Sequence, residues 1–516
     1  MTADSFFSEL ISKIIAEGIA TKDELHRAKI ELCGKHGLEH VPSDSEILGH
    51  ASPELRDKMR DLLRIKRTRS ASGIAVVAVM TAPAPCPHGR CLYCPGGPTA
   101  GTPQSYTGRE PAAMRAAQHG YDPFGQTSAR LDQLEAMGHP TDKIELIILG
   151  GTFTGLGRDY RERFVQRCFD AMNVGVSANL GEAQTMNELA GSRCVGLTVE
   201  TRPDCFSDEE VKHSMRLGVT RIELGVQSSD DRVLARVNRG HTTSHVRAAT
   251  ARVKDAGLKL CYHMMPGLPG SSFDGDIRSF RTIFDDESYR PDMLKIYPTV
   301  VLSGTGLHQM WKAGEYSPMT TADAVRLIAR VKSIVPPWVR IQRIQREIDV
   351  NSIEAGLDKG HLRDLARREL ARSGERCRCI RCREVGLTNR SMNADDLVLR
   401  RTDYGASGGS ETFLSLEHTD GATLVGYLRM RSCEAGTFLR ELKVFGEVVP
   451  FGEPPGDKWQ HQGYGRKLVL ECERIASEEL DADLLKVTSG VGARDYYRRL
   501  GYVLEEPYMV KVFRAR

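Results

Sequence analysis

The sequence has no uninterrupted apolar run that approaches the roughly 18 residues needed to span a bilayer. Its start carries acidic residues in an amphipathic pattern and lacks the basic stretch and the small-residue cleavage site of a signal peptide. Internal repeats and low-complexity tracts are also missing. These absences argue against a membrane-spanning or secreted protein, and we expect a cytoplasmic one.

A strong charge of one sign is absent too, because the formal net charge is only +3 over 516 residues. The basic residues are instead concentrated in three runs, at 56–69, 342–346 and 363–383. One such run is as typical of a solvated helix face as of a binding surface. Three runs that flank the candidate sites described below favour the binding of phosphates, as in a nucleic acid.

The thirteen cysteines do not have the spacing of a disulfide scaffold, which would spread them over the loops of a much shorter chain. Six of them form two tight clusters, and the other seven are scattered, mostly within apolar segments. Clustered cysteines in a reducing compartment are typical of metal ligands, whereas scattered ones usually fill a core.

Short apolar runs alternate with helical patterns between residues 74 and 297. Continuous apolar strands between helices indicate a parallel sheet covered by helices, and hence an α/β fold with a partial or full (β/α) barrel. The predicted strands are 74–80, 144–149, 195–199, 221–226, 259–264 and 293–297. The predicted domains are a helical, basic segment at 1–70, the barrel at 71–315, a helical linker at 316–392 and a mixed α/β domain at 393–516.

The first cysteine cluster, Cys86, Cys91 and Cys94, follows the first predicted strand. Three cysteines can ligate three irons of a [4Fe–4S] cluster and leave the fourth iron open for S-adenosylmethionine. Ligand softness alone would also permit zinc. However, a closed zinc site takes four ligands, and the sequence places no fourth cysteine or paired histidine nearby.

This segment resembles the radical S-adenosylmethionine (radical SAM) superfamily, although its first cysteine spacing is one residue longer than usual. That spacing and the Pro-His-Gly insertion within it resemble the catalytic subunit of Elongator and its single-chain archaeal and bacterial relatives. The resemblance implies that residues at the ends of the following strands bind the cofactor, namely Gly150, Gly151, Thr152, Glu200, Arg202 and Gln227. A simple turn at 150–152 and a structural ion pair between Glu200 and Arg202 are the alternatives.

Lys295 and Tyr297 end the sixth predicted strand and are expected to point into the same barrel mouth. We therefore regard both as candidate catalytic residues.

The second cysteine cluster, Cys377, Cys379 and Cys382, has zinc-like spacing and resembles the zinc knuckle of the prokaryotic Elongator relatives. Its expected role is structural, since a metal there would tie the barrel to the C-terminal domain. Reduced cysteines without metal are the alternative.

A glycine-bearing loop at 460–465 leads into a predicted helix, and such a loop exposes backbone N–H groups to a pyrophosphate. It resembles the acetyl-CoA loop of the GNAT acetyltransferases. The resemblance implies an acetyl-CoA site formed by the preceding strand, the loop and two later tyrosines: Glu441, Leu442, Lys443, Val444, Gln460, Gln462, Gly463, Tyr464, Gly465, Arg466, Tyr496 and Tyr497. The adjacent tyrosines cannot face the same way on a helix, so one is expected to serve the thioester while the other packs, and Tyr497 is the catalytic candidate.

Radical chemistry and an acetyl-CoA domain belong together if the bond to be formed joins two carbon atoms. A radical derived from S-adenosylmethionine can activate the acetyl methyl group for addition to C5 of uracil, and thioester hydrolysis then leaves a carboxymethyl group. The resemblance implies that the product is 5-carboxymethyluridine at the wobble position of tRNA. The expected partners are tRNA, acetyl-CoA and an electron donor, with a homodimer as a possible state and no Elongator accessory subunits.

Two other functions stay open at this point. The first is a protein lysine acetyltransferase with a non-catalytic iron–sulfur barrel, and the second is a tRNA-binding acetyl-CoA hydrolase without a productive radical step. The intact cysteine triad and the Gly-Gly-Thr segment favour the radical enzyme over both.

Overall fold

The computed structural model describes residues 3–38, 40–64, 70–388, 393–449, 452, 454, 456 and 458–513. Lys66, Arg67 and Arg69 of the first basic run lie outside the described residues. Within the described part of the chain, every helix is too short or too polar to cross a lipid bilayer.

The N-terminal segment forms a small helical unit with an apolar core of its own, to which Phe6 and Leu25 contribute. Capping boxes begin two of its helices, where Thr21 pairs with Glu24 and Ser43 with Glu46. The helices of this unit are α1 (Ala3–Ala16), α2 (Lys22–His36), α3 (Asp44–His50) and α4 (Pro53–Leu63).

A parallel sheet forms the centre of the protein, and its strands pair in the order β1-β2-β3-β4-β5-β6-β8. Across the described residues its edge strands, β1 and β8, do not pair with each other, so the barrel is partial. The strands, with a short separate pair formed by β7 and β9, are β1 (Ala75–Met80), β2 (Lys143–Leu149), β3 (Arg193–Thr201), β4 (Arg221–Gln227), β5 (Lys259–Met264), β6 (Met293–Ile296), β7 (Val301–Leu302), β8 (Arg340–Ile344) and β9 (Ile353–Ala355).

Strand β8 lies beyond residue 315, in the segment predicted to be a helical linker, and this part of the prediction is wrong. The basic residues of this strand make it look like an exposed segment. Arg340 is in fact buried, because it forms an ion pair with Glu384 of the linker. The sheet therefore continues to residue 344.

Helices cover the outer face of the parallel sheet, and their apolar sides form the main core of the protein with the strands. The helices from β1 to the end of the linker are α5 (Pro111–Gln118), α6 (Pro123–Ala136), α7 (Arg158–Asn173), α8 (Leu180–Asn187), α9 (Asp208–Arg216), α10 (Asp231–Arg236), α11 (Thr243–Asp255), α12 (Phe273–Asp285), α13 (Gly306–Lys312), α14 (Thr321–Ile334), α15 (Leu362–Arg372) and α16 (Ile380–Arg383).

The C-terminal domain is a mixed sheet whose strands pair in the order β10-β11-β12-β13-β14-β16-β15. Only the β13–β14 pair is parallel among the described strand pairs of this sheet. The elements are β10 (Leu397–Ala406), β11 (Gly409–His418), β12 (Leu424–Cys433), β13 (Gly436–Val444), α17 (Tyr464–Arg474), β14 (Leu484–Val487), α18 (Arg494–Arg498), β15 (Val503–Glu505) and β16 (Tyr508–Val512). The predicted fold class, a partial barrel followed by a mixed sheet, is confirmed.

The two sheets are in direct contact at the amino-terminal end of the barrel strands. Gly490, which follows β14, packs so closely on β3 that a Cβ there would lie 2.2 Å from the carbonyl oxygen of Val195. Buried ion pairs cross the same contact, including Lys254 of α11 with Glu411 of β11 at 3.2 Å. The C-terminal domain is therefore fixed against the open interior of the barrel.

Candidate active site

A continuous cavity of about 1630 Å³ occupies the interior of the partial barrel and extends to the C-terminal sheet. Cys86, Cys91 and Cys94 line it at the carboxyl ends of the barrel strands. Gly463 and Tyr496 line it on the side of the C-terminal domain. The two candidate cofactor sites thus border one space.

The three cysteines of the first cluster lie close to polar side chains. Cys86 Sγ is 3.1 Å from Thr152 Oγ1, and Cys91 Sγ is 3.1 Å from His88 Nε2. Burial, with the nearby cations of Arg202 and Arg239, lowers the pKa of His88 to about 4, so this ring is neutral at physiological pH.

These surroundings fit an iron–sulfur cluster better than neutral thiols. Arg239 is buried, and its Nη1 lies 3.7 Å from Cys91 Sγ. Gln104 donates a hydrogen bond from Nε2 to Cys94 Sγ at 3.1 Å. A buried cation and an amide donor suit an anionic group held by thiolates, because hydrogen bonds to the sulfurs stabilise such clusters.

The Gly-Gly-Thr segment forms a tight turn after β2. Gly150 has a φ of 143°, and a Cβ there would lie 2.0 Å from Thr81 Oγ1. Gly151 has a φ of 87° and lines the cavity together with Thr152. The turn is therefore both a structural requirement and a backbone surface available to a ligand.

Glu200 and Arg202 belong to different networks, so the alternative of an ion pair between them is not formed. Glu200 Oε2 accepts a hydrogen bond from the Tyr106 hydroxyl at 2.9 Å, whereas Arg202 pairs with Asp204 at 2.8 Å. Within the described structure, the buried Nε and Nη1 of Arg202 have no hydrogen-bond partner. Such donors suit an anionic ligand.

Gln227 ends β4 with a φ of 71°, a conformation that is unusual for a residue with a side chain. Its buried Oε1 has no partner among the described residues, and the side chain lines the cavity. Strain and an unpaired amide at one position are typical of a binding site.

Lys295 and Tyr297 both line the cavity, as the sequence predicts. Burial alone would lower the pKa of Lys295, but the carboxylate of Glu223 raises it above its usual value, so the side chain stays an ammonium. Burial raises the pKa of Tyr297 to about 12. Both groups are therefore hydrogen-bond donors at physiological pH.

Sequence reasoning missed Glu223 and His263, which lie beside Lys295. His263 Nε2 is 2.7 Å from Glu223 Oε2, and the same carboxylate oxygen contacts Lys295 Nζ. A carboxylate between the apolar residues of a predicted strand, as Glu223 is between Ile222 and Leu224 of β4, is the signal that would have indicated them.

The glycine loop meets the start of α17 as predicted. Gly463 is the N-cap with a φ of 82°, and its position is open to the cavity. The first backbone N–H groups of this helix, at Tyr464, Gly465 and Arg466, have no acceptor within the helix and can bind phosphate oxygens.

Two predicted ligand side chains are engaged with the protein. Gln460 donates to the carbonyls of Gly73 and Val444, and Gln462 donates to those of Gly456 and Lys458. These glutamine side chains therefore stabilise the loop, and the backbone N–H groups of the loop are available to bind a ligand.

The strand before the loop also borders the cavity through its last residues, Glu441, Leu442, Lys443 and Val444. Burial raises the pKa of Glu441, but Arg429, whose Nε is 2.9 Å from the carboxylate, lowers it below the usual value overall. Burial lowers the pKa of Lys443.

Tyr496, rather than Tyr497, is directed at the glycine loop. Tyr496 is 37% exposed, and a Cβ at Gly465 would lie 3.1 Å from its hydroxyl oxygen. Tyr497 is only 6% exposed and packs in the apolar core, with its ring centroid 5.7 Å from that of Tyr502. Both tyrosines line the cavity, Tyr496 at the loop and Tyr497 from the core, and the catalytic role of Tyr497 stays a prediction.

The second cysteine cluster is assembled at the contact between barrel and C-terminal domain. The Sγ atoms of Cys377, Cys379 and Cys382 all lie within 4.8 Å of one another. Among the described residues, this group of possible metal ligands has these three members. Lys332 is buried and donates to Cys382 Sγ at 3.2 Å. Three thiolates supply three of the four ligands that a structural zinc ion takes, and the ammonium of Lys332 balances the negative charge that such a site retains.

The basic runs separate into structural and exposed residues. Arg64 is buried, and Arg363 donates to the backbone of β8. Arg367 and Arg368 are exposed on α15, and no acidic partner of either is found in the described part of the chain. These two side chains are available to an anionic partner.

Family models match most of the chain. The ELP3 N-terminal domain matches residues 4–71, the Radical SAM superfamily matches residues 84–280, and the Radical_SAM C-terminal domain matches residues 291–372.

Curated relatives are similar over nearly the whole length. The tRNA uridine(34) acetyltransferase of Methanocaldococcus infernus is 47% identical over 492 residues, which cover 92% of each chain. Elongator complex protein 3 of Homo sapiens is 42% identical over 527 residues, which cover 98% of this chain and 96% of the relative.

A solved structure has the same fold. The Elp3 protein of Methanocaldococcus infernus, with its N-terminus (1–46) deleted, superposes with a TM-score of 0.76 at 42% identity. The match covers 86% of this chain and 100% of that one.

Proposed function

This chain belongs to the Elongator protein 3 family, and on that premise we propose that it modifies the wobble uridine of tRNA. In the proposed reaction acetyl-CoA is the carbon donor, radical S-adenosylmethionine chemistry forms the carbon–carbon bond, and the product is 5-carboxymethyluridine. The names of the archaeal relatives, tRNA uridine(34) acetyltransferases, support the tRNA uridine as substrate and the transfer of an acetyl group.

The observation that carries the proposal is the shared cavity. An acetyltransferase that acts on an amine needs no path to an iron–sulfur site, and a radical enzyme without acyl donor needs no acetyl-CoA loop. Here Cys91 and Gly463 border the same space of about 1630 Å³. That arrangement suits a reaction in which both cofactors act on one acetyl group.

Each end of the cavity has residues for its own cofactor. Cys86, Cys91 and Cys94 would hold the [4Fe–4S] cluster, while Gly151 and Gln227 offer polar groups to S-adenosylmethionine. When bound, the cluster and S-adenosylmethionine would supply an electron and a hydrogen-abstracting radical, for which an external electron donor is required. The amino-terminal turn of α17 would bind the pyrophosphate of acetyl-CoA.

The uridine must leave its stack to reach the interior of the cavity. Lys295 and Tyr297 provide an ammonium and a hydroxyl on the cavity wall, and both can donate hydrogen bonds to uracil carbonyl oxygens. Arg367 and Arg368 can contact tRNA phosphates outside the cavity. Cys377, Cys379 and Cys382 would hold a structural zinc ion and take no part in the chemistry.

The test is anaerobic reconstitution of the full-length protein, followed by incubation of tRNA with reductant, S-adenosylmethionine and acetyl-CoA. Nucleoside analysis should detect 5-carboxymethyluridine only when both cofactors are present. Peptide lysine acetylation without a modified nucleoside would instead favour a protein lysine acetyltransferase. Release of CoA without either product would favour an acetyl-CoA hydrolase.

A further inference from the structure

A carboxylate–imidazole pair lies in the cavity, and neither candidate cofactor site includes it. Glu223 and His263 come from the neighbouring strands β4 and β5, and both face the barrel interior. Glu223 is fully buried, and its Oε2 lies 2.7 Å from His263 Nε2. The pair is therefore held in the wall between the cysteine end and the acetyl-CoA end.

The hydrogen bond to Glu223 fixes the state of the imidazole ring. An ionised carboxylate can only accept a hydrogen bond, so the neutral ring carries its hydrogen on Nε2 and has a lone pair on Nδ1. Within the described chain, Nδ1 has no hydrogen-bond partner, and the side chain is partly open to the cavity. The carboxylate thus holds the ring through Nε2, while Nδ1 is free on the cavity side. This is the geometry of a general base.

A metal site is the competing interpretation of the same residues. The ligand atoms of Glu223, Cys261 and His263 lie within 4.8 Å of one another. However, Lys295 Nζ already contacts the carboxylate oxygen that faces His263. An ammonium in that position repels a second cation, so the arrangement favours an acid–base pair over a metal ion.

We infer that His263 is the general base for hydrolysis of the CoA thioester, and that Glu223 positions it. This inference rests on the proposed function, which requires the thioester to be cleaved after the carbon–carbon bond has formed. In this step a water molecule transfers a proton to His263 Nδ1 while its oxygen bonds to the thioester carbonyl carbon.

The carbon–sulfur bond then breaks. The CoA thiolate leaves and takes the proton from His263, so that a carboxylic acid and CoA thiol are formed. No electron is gained or lost. Lys295 neutralises the charge of Glu223 and offers an ammonium beside the developing negative charge on the carbonyl oxygen.

The experiment measures CoA release by chromatography from acetyl-CoA with the reconstituted full-length enzyme, tRNA, reductant and S-adenosylmethionine. We expect His263→Gln to lower CoA release at least about 100-fold, the usual contribution of a general base. Acetyl-CoA affinity and iron–sulfur absorbance should stay close to the wild-type values. Added imidazole should restore at least about a tenth of the wild-type rate to His263→Ala, because it can replace the missing base in the space vacated.

Matched variants separate the possible roles. Cys261→Ala should retain CoA release and bound-metal content under the acid–base interpretation, and a loss of either would point to a metal site and overturn the inference. Glu223→Gln should lower the rate and change its pH profile. Full CoA release by His263→Gln, or no rescue of His263→Ala by imidazole, would also overturn the inference.

Failure of the proposed function would give a result that differs from failure of the assigned base. In that case the wild-type enzyme itself would form no 5-carboxymethyluridine. A wild-type enzyme that forms the nucleoside, together with an unimpaired His263→Gln variant, would leave the proposed function standing and remove only the assigned base.

Discussion

Asp292 and Arg440 form an ion pair across the contact between the two sheets, with 2.6 Å between Oδ2 and Nη2 and both side chains 0% exposed. Asp292 precedes β6 of the barrel, and Arg440 lies on β13 of the C-terminal domain. Lys254 and Arg429 approach the same carboxylate at 3.7 Å. One buried aspartate therefore connects three cations from both domains.

Replacing this aspartate should destabilise the protein strongly. Asp292→Ala removes a carboxylate that three buried cations share, and Glu411 and Glu441 alone cannot neutralise them. One buried positive charge is then uncompensated, a change that costs about 3–5 kcal/mol in free energy of unfolding. Urea unfolding measures the loss, and Asp285→Ala, which removes an exposed carboxylate nearby, is the control. An equal stability of both variants would contradict a role for the ion pair.

The same carboxylate predicts a pH dependence. Burial alone would raise the pKa of Asp292, but Arg440, Lys254 and Arg429 hold it far below its usual value. The stabilisation is therefore complete above the unfolded pKa of about 3.9 and is lost as the pH falls toward the folded pKa. Unfolding at several acidic pH values should show a smaller slope for Asp292→Asn than for the wild type.

Loss of one cysteine of the first cluster should abolish the radical step. Cys91→Ser is expected to remove the iron–sulfur absorbance and the cleavage of S-adenosylmethionine after reconstitution, because one of the three cysteine ligands is lost. Cys433→Ser, which lies in the C-terminal sheet and does not line the cavity, should reconstitute normally. Full tRNA modification by Cys91→Ser would contradict the radical mechanism.

A side chain at the N-cap of α17 should weaken acetyl-CoA binding. Gly463→Leu places a side chain in the cavity from a backbone with φ of 82°, and we expect at least about a tenfold loss of affinity. Gly408→Leu has the same type of backbone strain, with φ of 75°, in the β10–β11 turn away from the cavity. Calorimetric titration should therefore show a loss for the first variant alone.

The two adjacent tyrosines should respond differently to loss of their hydroxyl groups. Tyr496→Phe removes a hydroxyl that borders the glycine loop and should lower turnover at least about tenfold, as loss of one positioned proton donor does. Tyr497→Phe keeps the ring in its apolar core and should leave turnover within about twofold. The reverse order in steady-state assays would restore Tyr497 as the acting residue.

The exposed arginines of α15 should contribute to tRNA affinity. The double variant Arg367→Ala, Arg368→Ala is expected to weaken tRNA binding and to reduce the slope of log affinity against log salt by about 2, since two phosphate contacts are lost. Arg372→Ala is the control, because this exposed arginine of the same helix pairs with Glu369 at 3.2 Å. Filter binding at several salt concentrations measures both quantities.

The motifs that could be predicted from the sequence are local in the chain. The cysteines 86–94 and the loop 460–465 each bring their chemistry together within a few residues, so spacing alone indicates the site. The strands β1 to β6 were predictable for a similar reason, because each carries a short apolar run that helical patterns separate from the next.

The parts that escaped prediction depend on contacts between distant segments. Glu223 and Lys295 are 72 residues apart and meet only because their strands line one interior. Strand β8 has a polar sequence and is nevertheless mostly buried, because carboxylates that are distant in the chain, such as Glu384, pair with its arginines. Which of Tyr496 and Tyr497 borders the glycine loop likewise depends on which ring packs in the C-terminal core.

The shared cavity has a quantitative consequence for the order of events. A single acyl group confined to about 1630 Å³ is present at an effective concentration of about 1 M, far above the level of free metabolites in a cell. An activated fragment formed at one end would therefore meet the other end long before it met a competitor from solution. Confinement of this kind makes the reaction insensitive to dilution, so the yield of modified tRNA per consumed S-adenosylmethionine should not change with enzyme concentration.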